Sequence, residues 1–345
     1  MTVGSRSNGD ATTAQEVAEL AQLRWVSDLE PGIKRVRKGR GFSYVEERKG
    51  PIGEKTRARI KALVIPPAWT DVWICLDPHG HLQATGRDRA GRKQYRYHPE
   101  WERVRDEVKF DRMGEFGGAL PQLRRQVEHD LSGRGLTRTR VIALSVAVLD
   151  RTLIRVGNNE YAAKNGAYGL TTLVNDHADV GPNLVRFSFT GKGGQPQEAA
   201  LRDRRLARLV SQCQELGGQQ LFVYQLDNGD PAAITSDDVN AYVRDATGQS
   251  FTAKDFRTWG GSALVVSHMG SMATDAPTAE ASFIEALDAA ADVLGNTRSV
   301  CRASYIHPAI YEAHLDGRLA QAWASSRRGR WMERGERALL RILGV

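Results

Sequence analysis

The apolar period changes near residue 100, and that change limits the fold more than any other feature of this 345-residue chain. Before it, apolar residues come in short runs bounded by turn formers. VWICLD and HLQATGRD flank Pro78-His79-Gly80 and predict a hairpin. KQYRYH puts Tyr95 and Tyr97 on one face and Arg96 on the other, because successive strand side chains point to opposite sides. GIKRVRKGRGFSYV reads as a loop entering a strand, with Gly39 and Gly41 as turn points. Residues 15–25 suit a short helix. EKTRARIKAL reads as a helix that stops before Pro66-Pro67, since the residue ahead of a proline avoids helical backbone.

Beyond residue 100 the period is helical. Residues 100–132 and 138–158 read as long helices, and Ile142, Val146, Leu149 and Leu153 recur at three- and four-residue spacing on one apolar face. LTTLV, LVRFSFT and QEAAL predict a three-stranded patch, with Gly191-Lys192-Gly193-Gly194 at its second turn. Further helices are expected near 202–215, 236–247, 252–267, 278–293 and 321–342, with SHMGSMATDAPT as a flexible loop. The expected class is α+β. It comprises a disordered tail over 1–20, a small basic β-rich N-terminal domain over 21–105, and a larger, mainly α-helical domain over 106–345 that carries the short sheet.

Charge is uneven. The net charge is +7, and residues 24–109 hold 20 Lys/Arg against 12 Asp/Glu, so the first third carries the whole excess. That permits a polyanionic partner such as nucleic acid without establishing one. Hydrophobic residues at 41% and charged residues at 26% are ordinary for a globular protein. No apolar run reaches 18 residues, and the small polar N-terminus lacks the layout of a secretion signal. Cys75, Cys213 and Cys301 are odd in number, far apart and without zinc-ligand spacing, which points to a reducing cytoplasm and no metal. His79 and His81 flank a turn glycine and are expected at the surface.

IPPAW, GRKQYRYH, IRVGNNEYAAKNGAYGLTTL, FTGKGG, DFRTWGG and LGNTRSVCRASYIHP occur in this order between about residues 24 and 320. Together they resemble the type IB DNA topoisomerases of bacteria and poxviruses. The resemblance implies the catalytic fold shared with tyrosine recombinases, closed with the N-terminal domain as a C-shaped clamp. It also implies a cytoplasmic, nucleoid-associated monomer acting on duplex DNA, with no cofactor, no metal, no membrane association and no obligatory protein partner.

Tyr305 matches the family's nucleophile, which forms a 3′-phosphotyrosyl link and frees a 5′ hydroxyl. A phenol of pKa near 10 is only ~0.1% ionised at pH 7, so the phosphate must be activated or the phenol deprotonated during attack. Arg155 and Arg257 match two family arginines whose forked, permanently charged guanidiniums suit phosphate oxygens. Lys192 matches the hairpin lysine that acts as general acid. Asn296 stands where poxvirus relatives carry histidine, nine residues before the tyrosine. An amide donates a hydrogen bond but cannot become cationic, so Asn296 reads as a neutral phosphate donor, with a helix N-cap as the alternative. Gln94, Tyr95 and Tyr97 match a DNA-contacting segment, and Tyr161 matches a phosphate-contacting tyrosine. Poxvirus relatives have lysines shortly before that position, where this chain has Asn158 and Glu160, so their site preference is not carried over. Arg35, Arg37, Lys38 and Arg40 form a candidate phosphate-gripping arm.

Two rival classes remain at this level. A tyrosine recombinase shares the chemistry but usually carries histidine two residues before the second arginine, where this chain has Asp255, and often a helical front domain. A non-enzymatic DNA-binding protein would have no reason to hold two arginines, a turn lysine and a tyrosine in this order.

Overall fold

The computed structural model describes residues 14–46, 50–159, 162–163, 166–271 and 279–345. Two compact units divide between Asp111 and Arg112, within a long helix.

In the N-terminal unit, six antiparallel strands lie in the order β3-β2-β1-β4-β5-β6. They are β1 Gly32–Lys38, β2 Gly41–Glu46, β3 Gly50–Pro51, β4 Thr70–Cys75, β5 Leu82–Arg87 and β6 Lys93–Tyr97. Helix α1 (Ala14–Leu20) buries Val17 and Ala18, so the expected disordered tail does not cover residues 14–20, and residues 1–13 lie outside the described ones. Helix α2 (Glu54–Ala62) sets Ile60 into a cluster with Ile33, Ile52, Val72, Ile74 and Ala84, against which Ile65 and Trp69 of the IPPAW segment pack. The predicted β4–β5 hairpin is present.

Two expectations in this unit are corrected. The basic run over 34–40 is not a loop: β1 and β2 pair from Ile33↔Glu46 to Lys38↔Gly41, leaving a two-residue turn in which Gly39 takes φ 56°. Such a turn needs a left-handed residue, which glycine supplies without steric cost. His81 is not at the surface. It is 3% exposed, its ring stacks on Trp25 at 3.9 Å, and its Nδ1 accepts the Val26 N–H at 3.1 Å. Burial lowers its pKa, so it sits there as neutral imidazole.

The C-terminal unit is mainly helical. Helix α3 (Pro99–Leu131) enters it, followed by α4 (Arg138–Thr152). A three-stranded antiparallel sheet follows, of β7 Ala178–Val180, β8 Leu184–Thr190 and β9 Pro196–Arg202. Next come α5 (Arg204–Leu216), the β10 Val223–Gln225 and β11 Pro231–Ala233 hairpin, α6 (Ser236–Thr247), α7 (Ala253–Ser271) and α8 (Ala279–Leu294). Four short helices close the chain: α9 (Arg298–Tyr305), α10 (Ala309–Leu315), α11 (Arg318–Ser325) and α12 (Arg334–Leu343). No helix among the described residues is long and apolar enough to cross a membrane.

Four further expectations change here. Helix α4 ends at Thr152, because Leu153 takes φ 56° and turns the chain out of the helix. LTTLV is not a strand: Leu170–Thr172 is a buried 3-10 turn, whose N–H groups bond back to Arg155 and Val156, and the first strand is Ala178–Val180. The single helix expected over 321–342 is two, separated by residues 326–333. Of the expected flexible loop, residues 267–271 finish α7 and residues 272–278 lie outside the described ones.

A partly buried polar network joins α3, α4, α7 and α12. Arg124 donates to Asp150 at 2.8 Å and to Glu336 at 2.7 Å, and Trp259 Nε1 donates to Glu336 at 3.0 Å. Burial alone would raise the Glu336 pKa, but Arg124 outweighs it and holds the carboxyl below its ordinary value. Glu336→Ala leaves Trp259 Nε1 without its acceptor while Arg124 keeps Asp150 and the Trp331 carbonyl, and is expected to cost about 1–3 kcal/mol, as for one unsatisfied buried donor. The measurement is the urea midpoint. Because the folded pKa is depressed, this contribution is complete above the ordinary carboxylate range and is lost as pH falls through the folded value. The difference between wild type and variant therefore shrinks in acid.

Candidate active site

Tyr305 is the last residue of α9, and the backbone turns extended at Ile306. That stop is fixed by Ser262 of α7, which is fully buried. Its Oγ donates to the Tyr305 carbonyl at 2.8 Å and accepts the His307 N–H at 3.0 Å. Helix α7 can come this close because Gly261 leaves room: a Cβ there would lie 3.3 Å from Tyr305 Cβ and 3.0 Å from Leu294 Cδ1. A serine and a glycine thus set the position of the tyrosine, and neither was singled out from the sequence. The visible signal was the GGS run directly after the arginine motif.

Arg257, one turn earlier on α7, is 4% exposed. Its Nη1 donates to the Leu153 carbonyl and its Nη2 to the Leu294 carbonyl at 2.7 Å. The left-handed Leu153 and the end of α8 therefore both aim a carbonyl at the same guanidinium. Arg257 Cζ lies 5.2 Å from the centroid of the Tyr305 ring. Asp255, two residues earlier, turns to the start of α7, where its Oδ2 accepts from Thr252 N at 2.7 Å.

Arg155 follows the end of α4 on a segment pinned by Leu170 N donating to Arg155 O and Thr171 N to Val156 O, both at 2.8 Å. Gly157 at φ 94° and Gly169 pack backbone to backbone beneath it. Arg155 Nη2 donates to Asn296 Oδ1 at 2.7 Å. The N-cap of α9 is Thr297, whose hydroxyl accepts from Val300 N, so the capping alternative for Asn296 falls. With its oxygen taken by Arg155, Asn296 presents its Nδ2, which is buried and has no partner among the described residues. Arg257 Nε is in the same condition. Two unsatisfied buried donors in one site are costly, about 1–3 kcal/mol each, and an anion between them would remove the penalty.

These charges act on the phenol. Burial would raise the Tyr305 pKa, but Arg257 and then Arg155 outweigh it and hold the hydroxyl below the usual tyrosine value. Burial and the charge of Arg155 lower the pKa of Arg257.

The remaining candidates fare differently. Lys192 lies where it was expected, between β8 and β9, exposed and without a hydrogen bond or ion pair among the described residues. In the N-terminal unit, Tyr95 is 46% exposed with Lys93 Nζ 5.7 Å from its ring centroid, while Gln94 donates to Asp88 at 3.0 Å. Tyr97 stacks on Trp101 at 4.4 Å and belongs to the packing. Arg35 donates to the carbonyls of Pro66 at 3.1 Å and Trp69 at 2.6 Å and lies over Phe42, so it clamps the IPPAW segment rather than standing free. Arg37, Lys38 and Arg40 are exposed. Tyr161 lies outside the described residues.

Residues 98–322 match the family described as eukaryotic DNA topoisomerase I, catalytic core, and residues 41–88 match the bacterial DNA topoisomerase IB N-terminal domain. The chain is also similar to the DNA topoisomerase 1B of Acanthamoeba polyphaga mimivirus. The two are 31% identical over 288 residues, covering 81% of this chain and 86% of the relative.

The electrostatics give a direct measurement. Arg155→Ala removes one of the two charges that oppose burial, so the Tyr305 pKa is expected to rise. NMR of ring-labelled tyrosine across an alkaline pH series reads the midpoint, and an unmoved midpoint would show that Arg155 does not act on the phenol.

Proposed function

The chain belongs to the type IB DNA topoisomerase family, and from that premise we propose that Tyr305 attacks a phosphodiester of duplex DNA within the pocket formed by Arg257, Arg155 and Asn296. On this reading the enzyme relaxes supercoils without ATP. Tyr305 Oη gives its proton to water and bonds to phosphorus, the bond from phosphorus to the 5′ oxygen breaks, and that oxygen leaves as a hydroxyl after taking a proton from the general acid. The product is a 3′-phosphotyrosyl link. Rotation of the free end about the intact strand releases torsion, and attack of the 5′ hydroxyl on the link restores the DNA.

The observation that carries the proposal is the pair of orphaned buried donors beside a tyrosine of lowered pKa. A bound phosphate would accept from Asn296 Nδ2 and Arg257 Nε. The guanidiniums would complement the charge that spreads over the equatorial oxygens in the transition state, where fixed donors contribute most to rate. Arg257 is held by two backbone carbonyls and Arg155 by the Asn296 amide oxygen, so little reorganisation is needed when the phosphate arrives. Lys192 is assigned the proton given to the 5′ oxygen. Its position on a glycine turn allows close approach to the backbone of DNA. The exposed Arg37, Lys38 and Arg40, with Tyr95, are assigned to duplex binding in the N-terminal unit. As part of the same proposal, the enzyme works as a monomer in the nucleoid and grips the duplex as a clamp.

Tyr305→Phe is expected to bind duplex DNA with unchanged affinity and to form no covalent adduct on denaturing gels; a surviving adduct would remove Tyr305 from the role. Asn296→Asp sets an anion against the phosphate and Arg155. It should therefore slow single-turnover cleavage more than Asn296→Ala does, whereas a purely structural amide would give the reverse order.

A further inference from the structure

We propose that Gln197 is a positioning residue for proton transfer, holding the hairpin that carries Lys192 against the corner that carries Asn296. This rests on the reading of Lys192 as the general acid. Lys192 has no partner of its own among the described residues, so only the hairpin backbone decides where its ammonium lies. The tip of that hairpin is loosely surrounded: a Cβ built on Gly193 or Gly194 would meet nothing. Gly191 and Gly295 differ sharply from these. At Gly191 the space for a Cβ is taken by Gln197 Cγ, and at Gly295 it is taken by the Gln197 carboxamide. One side chain therefore fills the space against two glycines, one beside Lys192 and the other beside Asn296.

Both ends of this contact are stiff. Gln197 pairs with Phe189 in the β8–β9 ladder, and Gly191 N donates to Gln195 O at 2.8 Å and closes the turn. On the other side, Gly295 has φ 58°, its N–H donates to Asp292 O at 3.1 Å, and Asn296 N donates to Ala291 O at 3.0 Å. Asn296 then continues to Arg155. Lys192, Gly191, Gln197, Gly295, Asn296 and Arg155 thus form one contiguous path from the acid to the phosphate donors. In the cleavage step the proton moves from Lys192 Nζ to the departing 5′ oxygen as the bond from Tyr305 Oη to phosphorus forms. Gln197 touches neither atom and acts by fixing where Nζ lies.

The test is single-turnover cleavage of two duplexes, one with an ordinary phosphodiester and one with sulfur in place of the bridging 5′ oxygen. Sulfur departs without a proton, so a defect in the acid is not felt. Misplacing a catalytic group by about 1 Å can cost on the order of 100-fold, and Gln197→Ala is expected to slow the ordinary substrate by a loss of that kind. On the thio substrate it should react like wild type. Gln197→Met keeps the length that fills the space at Gly191 and should recover most of the rate, which guards against a variant that merely folds poorly. Equal slowing on both substrates, or no slowing on either, overturns the positioning role. Lys192→Ala on the same duplexes separates the two failures. If the thio substrate rescues Lys192→Ala and not Gln197→Ala, only the role of Gln197 is lost; if it does not rescue Lys192→Ala, the acid assignment itself is wrong and the proposal falls with it.

Discussion

The burial of Arg257 is the constraint on which the rest of the catalytic unit depends. A guanidinium that is 4% exposed must be met by acceptors, and no carboxylate meets this one among the described residues. It is held by the carbonyls of Leu153 and Leu294, which the chain can supply only by ending α4 and α8 at the right place. Leaving the charge without a neutralising partner keeps it available to an incoming anion. A buried ion pair would have been cheaper to fold and useless for that purpose.

Much local irregularity follows from this. Leu153 adopts a left-handed conformation that a bulky residue rarely takes, and its carbonyl is the one that Arg257 uses. Gly260 makes room for the Leu153 side chain, and Gly261 makes room for Tyr305, so the two adjacent glycines let α7 approach both sides of the site. The contrast with Arg124 is instructive. That arginine is partly buried and lies between Asp150 and Glu336, and their charges raise its pKa against the effect of burial, where that of Arg257 is lowered. One arginine is neutralised and holds the helices together; the other is left charged beside a phenol.

The legible part of the sequence was the part carried by period and by motif order. The helical character of the large unit, the β4–β5 hairpin and the turn bearing Lys192 all follow from spacing and turn formers. Arg257, Arg155, Asn296 and Tyr305, taken from the motifs, meet in one place. What stayed hidden was set by contacts between distant segments. LTTLV has strand-like composition, yet its N–H groups are spent on Arg155 and Val156. Leu153 continues the apolar face of α4 in sequence and leaves the helix in space because Arg257 takes its carbonyl. Arg35 looks the same in the sequence as Arg37, but only Arg35 finds the carbonyls of Pro66 and Trp69. His81 reads as a turn residue until Trp25 covers it.

Asn296 shows how far a single substitution of residue type can be reasoned through. A histidine at this position could carry charge and would add to the repulsion between Arg155 and Arg257, which already lowers the pKa of Arg257. An amide avoids that. Its oxygen accepts from Arg155, which orients the side chain, and its nitrogen, like Arg257 Nε, is buried without a partner among the described residues. The amide therefore contributes a hydrogen bond without contributing charge. Ionisation of the phenol is favoured by the two arginines alone, and the neutral donor leaves that balance unchanged as pH varies.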